Sequence, residues 1–139
     1  MPLGTRPKVL IADDEPETLQ LLIDVLEPDG YEVFVAQDAA MAVQLALAHE
    51  PDLLLLDLMM PHGGGYTICE ALRARAPERA LAVIFLTALA RPEELQDGFA
   101  AGAVDYITKP FNTALLRSRV HTWLLRLAEQ RTSAERRSC

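Results

Sequence analysis

Five short apolar runs alternate along this chain with segments whose apolar residues recur every three or four positions, and few architectures accommodate that order. The runs are Val9-Leu10-Ile11-Ala12, Tyr31 to Val35, Leu53 to Leu56, Ala82 to Leu86 and Val104 to Thr108. Leu53 to Leu56 is the most apolar and reads as a central strand covered on both faces. The intervening segments read as helices. The first starts near Pro16, places Leu19, Leu22, Ile23 and Leu26 on one face and is stopped by Gly30. The second is capped by Asp38, with Ala39, Val43, Ala46 and Leu47 facing inward. The third carries Ile68, Cys69 and Leu72; the fourth has Pro92 near its start, Leu95 and Phe99 on its face and Gly102 at its end. Five strand-then-helix units with short connections require parallel strands joined by right-handed crossovers. The expected fold class is therefore α/β, a doubly wound five-stranded parallel sheet with five helices on both faces.

The chain has 139 residues, half of them hydrophobic, enough for one domain with a substantial core and no need of disulfides or metals to hold it. Cys69 and Cys139 lie far apart and offer neither a disulfide framework nor metal-ligand spacing, which fits a reducing cytoplasm. The opening residues do not read as a signal peptide. The apolar run ending at Leu56 is far too short to span a membrane, so no membrane insertion is expected.

Charge is unevenly spread. Residues 1–112 carry 18 acidic and 7 basic side chains, net −11, whereas residues 113–139 carry 2 and 6, net +4. An acidic body repels nucleic acid, and the basic tail carries one aromatic residue, Trp123, and no interleaved series for stacking on bases, so it reads as a solvated helix face with no direct nucleic-acid binding. In that tail Leu116, Val120, Trp123 and Leu127 are spaced 4, 3 and 4, with no Gly or Pro from Asn112 to Cys139. Residues 113 to 131 alone would span about 28 Å as a helix. Two readings stay open: an amphipathic helix fraying after Gln130, or an extension into a coiled coil.

Chemistry sits at the ends of the strands. A parallel sheet gathers the carboxyl ends of its strands along one edge, where ligands of such folds bind. Asp13-Asp14 follows the first run, Asp57 the third, Thr87 the fourth and Lys109 the fifth. Adjacent carboxylates make a hard oxygen site suited to magnesium, although acids at Asp14-Glu15-Pro16 also suit a helix start. Asp57 ends the most apolar strand, where an unpaired charge is costly and a metal or lysine partner is needed. Thr87 is followed by small Ala88 and can donate to a phosphoryl oxygen. Lys109, one of only two lysines, precedes Pro110; a cis peptide there would aim it over the sheet edge. Phosphoryl transfer needs an anionic nucleophile, a bridging metal and fixed donors for the equatorial oxygens, and these residues supply the protein's share.

Through Asp13-Asp14, Asp57-Leu58-Met59-Met60-Pro61, Thr87-Ala88 and Lys109-Pro110-Phe111, the sequence resembles the receiver domains of two-component response regulators over about residues 7–128. The resemblance implies a flavodoxin-like sheet of strand order 2-1-3-4-5, a receiver over residues 8–128, an N-terminal extension over residues 1–7 and a helical tail or linker over residues 129–139. It implies that Asp57 is the phosphoacceptor, and that Asp13, Asp14, Asp57 and the backbone carbonyl of Met59 hold Mg2+. It further implies that Lys109 and Thr87 contact the phosphoryl group and that Thr87 and Tyr106 form the switch. The implied partner is a histidine kinase or histidine phosphotransfer protein, with a homodimer through the fourth helix, fifth strand and fifth helix, or through the C-terminal helix. Such a protein assists its own phosphorylation and dephosphorylation without being a turnover enzyme.

Gly63-Gly64-Gly65 departs from the family pattern, which often has an apolar residue and an acid before its glycine. Three glycines are expected to loosen this loop and leave the third helix uncapped. An alternative is the receiver portion of a larger hybrid kinase, cyclase or phosphodiesterase. A second is an aspartate-nucleophile phosphatase of the haloacid dehalogenase type, but that family needs an acid two residues after the nucleophile, where Met59 stands. Met59 and Leu89, both apolar, also occupy the positions from which a water attacking the acyl phosphate would be oriented, so slow self-dephosphorylation is expected.

Overall fold

The computed structural model describes residues 6–76, 81–88, 96 and 103–138. Five strands form one parallel sheet: β1 (Lys8–Ala12), β2 (Glu32–Ala36), β3 (Leu53–Asp57), β4 (Ala82–Thr87) and β5 (Asp105–Thr108), in the order β2-β1-β3-β4-β5. Helices α1 (Pro16–Leu26), α2 (Ala39–His49), α3 (Gly65–Arg75) and α4 (Thr113–Ser138) connect or follow them. Of the helix expected over residues 92–102 only Gln96 is among the described residues, so the last helix takes the label α4. No described helix is long and apolar enough to cross a membrane.

Strand side chains alternate between faces, and this divides the apolar residues into two cores. Leu10, Leu54, Leu56, Val83 and Phe85 pack against α2 and α3 residues such as Ala42, Val43, Ile68 and Leu72. Val9, Ile11, Leu53, Leu55, Ile84, Leu86 and Ile107 pack on the other face against Leu19, Leu22, Leu116, Val120 and Leu124 from α1 and α4. Every residue of β3 is buried, as its uninterrupted leucines require. Burial also pushes the Cys69 thiol up to about 11, so Cys69 serves as a small apolar side chain.

Local signals act as the sequence suggests at most helix starts. Pro16 opens α1, the Asp38 side chain accepts the Met41 N–H at the start of α2, and Asn112 accepts the Leu115 N–H at the start of α4. Leu47, expected inward on α2, is exposed, and Ala42 is buried instead. The last helix runs past Gln130 and continues to Ser138. Its buried seam is Leu116, Val120, Leu124 and Leu127. Trp123, expected on that seam, is half-buried beside it and donates its indole N–H to Asp105 at 2.9 Å.

The basic face of α4 is not merely solvated. Arg117 pairs with Asp29 at 2.7 Å, Arg119 with Asp105 at 2.6 Å and Arg131 with Asp52 at 2.5 Å, while Arg126 lies 4.9 Å over the Trp123 ring. Three arginines of the basic helix therefore meet aspartates of the acidic body.

Candidate functional site

Strand register sets the site. Ala12 pairs with Leu56, so the residues that follow, Asp13 and Asp57, emerge side by side on neighbouring strands. Thr87 pairs with Thr108, and the hydrogen-bonding pattern continues one step further as the Lys109 N–H donates to the Thr87 carbonyl at 2.9 Å. Similarly, the Leu58 N–H donates to the Leu86 carbonyl at 2.9 Å. These bonds hold the first loop residues in line with their strands. The Lys109–Pro110 peptide is cis, and the Lys109 ammonium reaches back across the edge to two carboxylates.

Lys109 Nζ donates to Asp13 Oδ2 at 2.8 Å and lies 3.4 Å from Asp57 Oδ2. The second oxygens are held by backbone: the Glu15 N–H donates to Asp13 Oδ1 at 2.9 Å and the Met59 N–H to Asp57 Oδ1 at 3.1 Å. Asp13 is fully buried, Asp57 and Thr87 are nearly so, and Asp14 is exposed. A cleft of about 260 Å3 opens over them, lined by Asp14, Glu15, Asp57, Met59, Thr87, Ala88 and Lys109. Every sequence-predicted member of the site except Asp13 and Tyr106 faces this cleft, and Asp13 lies behind it as the anchor of Lys109.

The electrostatics leave the site short of positive charge. Burial raises the Asp57 carboxyl above its ordinary value and the Asp13 charge adds to the rise; the Met59 N–H and Lys109 oppose it without cancelling it. Burial works against the Lys109 ammonium, but its hydrogen bond to Asp13 and the charges of Asp13 and Asp57 prevail and raise its pKa. One oxygen from each of Asp13, Asp14 and Asp57 lies within 4.8 Å of the others. Three hard carboxylates facing one ammonium fit a small divalent cation that accepts few protein ligands and retains water.

Tyr106 stands one strand away, half-buried. Its ring meets Phe85 edge-on at 5.7 Å, and Phe85 meets Tyr66 of α3 in the same manner at 5.3 Å. Sequence reasoning singled out Tyr106 but not this relay of three rings. The register partner of Tyr106 is Phe85, and a strand pairing of that kind is the signal that could have revealed it.

The glycine loop has close neighbours. A Cβ on Gly64 would sit 2.1 Å from the Leu58 carbonyl oxygen, and one on Gly65 2.8 Å from the Phe85 ring. Gly63 has φ +120°. These glycines thus permit close approach and a left-handed turn rather than simply adding slack. The missing cap is as expected, because Gly64 offers α3 no side-chain hydrogen bond.

The response regulator receiver domain family model matches residues 9–121. The DNA-binding dual master transcriptional regulator RpaA of Synechocystis sp. is 40% identical over 120 residues, which cover 86% of this chain and 50% of that protein. A probable cyclic di-GMP phosphodiesterase of Vibrio cholerae is 37% identical over 116 residues, covering 84% of this chain and 26% of that protein. The chain therefore spans half or about a quarter of the length of these two relatives. Among solved structures, Vibrio cholerae chemotaxis protein CheY4 superposes with a TM-score of 0.81 at 30% identity, covering 86% of this chain and 99% of that one. A putative response regulator from Chloroflexus aurantiacus gives 0.80 at 35% identity, covering 87% and 99%. With the family's sheet order and acidic edge both in place, the chain belongs to the response regulator receiver domains of two-component signalling.

Proposed function

We propose that Asp57 accepts a phosphoryl group from the phosphohistidine of a histidine kinase or histidine phosphotransfer protein in the cytoplasm. The observation that carries this reading is a nearly buried carboxylate fixed by the Met59 N–H and Lys109 at the floor of an open cleft. One Asp57 oxygen attacks phosphorus, the phosphorus–nitrogen bond to the donor breaks, and its electron pair remains on the departing imidazole. Lys109 neutralises charge on the phosphoryl oxygens, and the Thr87 hydroxyl donates to one of them. Asp13 keeps Lys109 in place. Asp14, Asp57, Asp13 and the Met59 carbonyl would hold Mg2+, whose positive charge keeps Asp57 anionic and offsets charge on the phosphoryl oxygens.

Thr87 and Tyr106 form the switch in this reading, with the Phe85 and Tyr66 rings as the surface against which Tyr106 moves. The protein changes conformation once per phosphorylation and is not a turnover enzyme. Residues 8–128 make up the receiver, with residues 1–7 as an extension and residues 129–139 as a helical tail or linker. Coverage of only a half to a quarter of the relatives favours a second reading for the whole protein, in which this receiver controls a further module. Incubation with a small phosphodonor and magnesium should add the mass of one phosphoryl group. No gain, or a gain that persists in Asp57→Ala, would overturn the assignment.

A further inference from the structure

The last helix packs with α1 on one face of the sheet. It has 26 residues and thus runs about 39 Å, more than twice the length of the strands beneath it. Its apolar seam ends at Leu127, and Arg131 follows one turn later. Among the described side chains of this helix, Arg131 is the last that reaches a partner on another element. Its guanidinium donates to Asp52 Oδ1 at 2.5 Å across 79 residues of sequence.

Asp52 is itself immobilised. Its Oδ2 accepts the Lys8 backbone N–H at 2.8 Å, its own N–H donates to the Lys8 carbonyl at 2.8 Å, and its carbonyl accepts the Ala82 N–H at 3.0 Å. It therefore sits locked between the starts of β1 and β4, immediately before β3. Both partners of the pair are partly shielded, with side chains 35% and 18% exposed. Such shielding makes the pair less vulnerable to water and salt than a fully exposed one.

We propose that Arg131 and Asp52 form a latch that holds the last turns of α4 against the base of the sheet and so sets the direction in which the helix leaves the domain. Among the described residues the apolar seam ends at Leu127, so the turns beyond it open more readily than those above, and one directional contact a turn later holds them closed against the sheet. The latch also ties the exit helix to the strand whose opposite end carries Asp57. This goes beyond the phosphoacceptor reading and does not depend on it, because it can be tested without any phosphodonor.

Amide hydrogen exchange of the full chain provides the test. Arg131→Gln and Asp52→Asn should each speed exchange over residues 128–134 by roughly fivefold or more, while residues 116–124 keep wild-type protection. Arg126→Gln removes a cation from the same helix that lies over Trp123 rather than on an aspartate, and it should leave residues 128–134 unchanged. The partly exposed Arg131 can be replaced without disturbing the core, so the test survives if Asp52→Asn fails to fold. Wild-type exchange in Arg131→Gln, an equal effect from Arg126→Gln, or loosening that spreads through residues 116–124 would overturn the latch.

Discussion

In the proposed phosphoacceptor reading, Met59 puts a thioether where a water attacking the acyl phosphate would need a hydrogen-bonding partner. It is 75% exposed and lines the cleft beside Asp57, so a polar replacement would have both room and access. Met59→Asn is expected to shorten the phosphoryl lifetime several-fold, on the order of what positioning one reactant contributes; decay of the phosphorylated mass would show it, and an unchanged lifetime would count against the account. Gly64 gives a stability prediction. Its missing Cβ is matched to a backbone oxygen that cannot swing away, so Gly64→Ala should cost more than about 2 kcal/mol in denaturant unfolding. Gly65→Ala meets an aromatic ring, which can shift, and should cost less. Asp57 stood out in the sequence because a carboxylate ending four leucines needs a partner there, and the loop from Met60 to Gly65 weakens its reading as a cap for the next helix. The office of Gly64 was not legible there, since the Leu58 carbonyl it must clear is brought there by the folded loop and leaves no trace in local composition.

At the scale of elements, α4 shows where periodicity runs out. Both Trp123 and Leu124 could continue the apolar row after Val120, and spacing alone cannot choose between them. Asp105 settles the choice by taking the Trp123 indole and the Arg119 guanidinium, which turns Leu124 toward the sheet. Burial raises the Asp105 carboxyl, but the hydrogen bonds from Trp123, Arg119 and the Tyr106 N–H together prevail and lower it below its ordinary 3.8. A depressed folded value means that this carboxylate contributes stability above the unfolded value and loses it as pH falls from about 3.8 through the folded value. Asp105→Asn should therefore flatten the acid limb of a stability–pH profile in that window while lowering stability at neutral pH. A mutant profile parallel to the wild type would refute this. The pairs Arg131–Asp52 and Arg117–Asp29 were equally invisible beforehand, because their partners lie 79 and 88 residues apart.

For the whole molecule, the acidic edge predicts linkage between cation binding and folding. Magnesium at about a hundredfold excess over its dissociation constant should stabilise the chain by about 2.7 kcal/mol, and a chelator should reverse the gain. Asp14→Asn and Asp57→Asn should each remove most of the increment in thermal melts; a full increment in both would place the cation elsewhere. The overall architecture was readable because five repetitions of one pattern leave a single sensible topology, and register then gathers the strand ends without further instruction. The same alternation has another outcome. The two cores face away from each other across one layer of backbone, and β3 supplies Leu54 and Leu56 to one and Leu53 and Leu55 to the other. Side-chain volume exchanged on the α2–α3 side is not felt directly by α1 and α4, so the two flanks of this switch can drift, and acquire different neighbours, independently of each other.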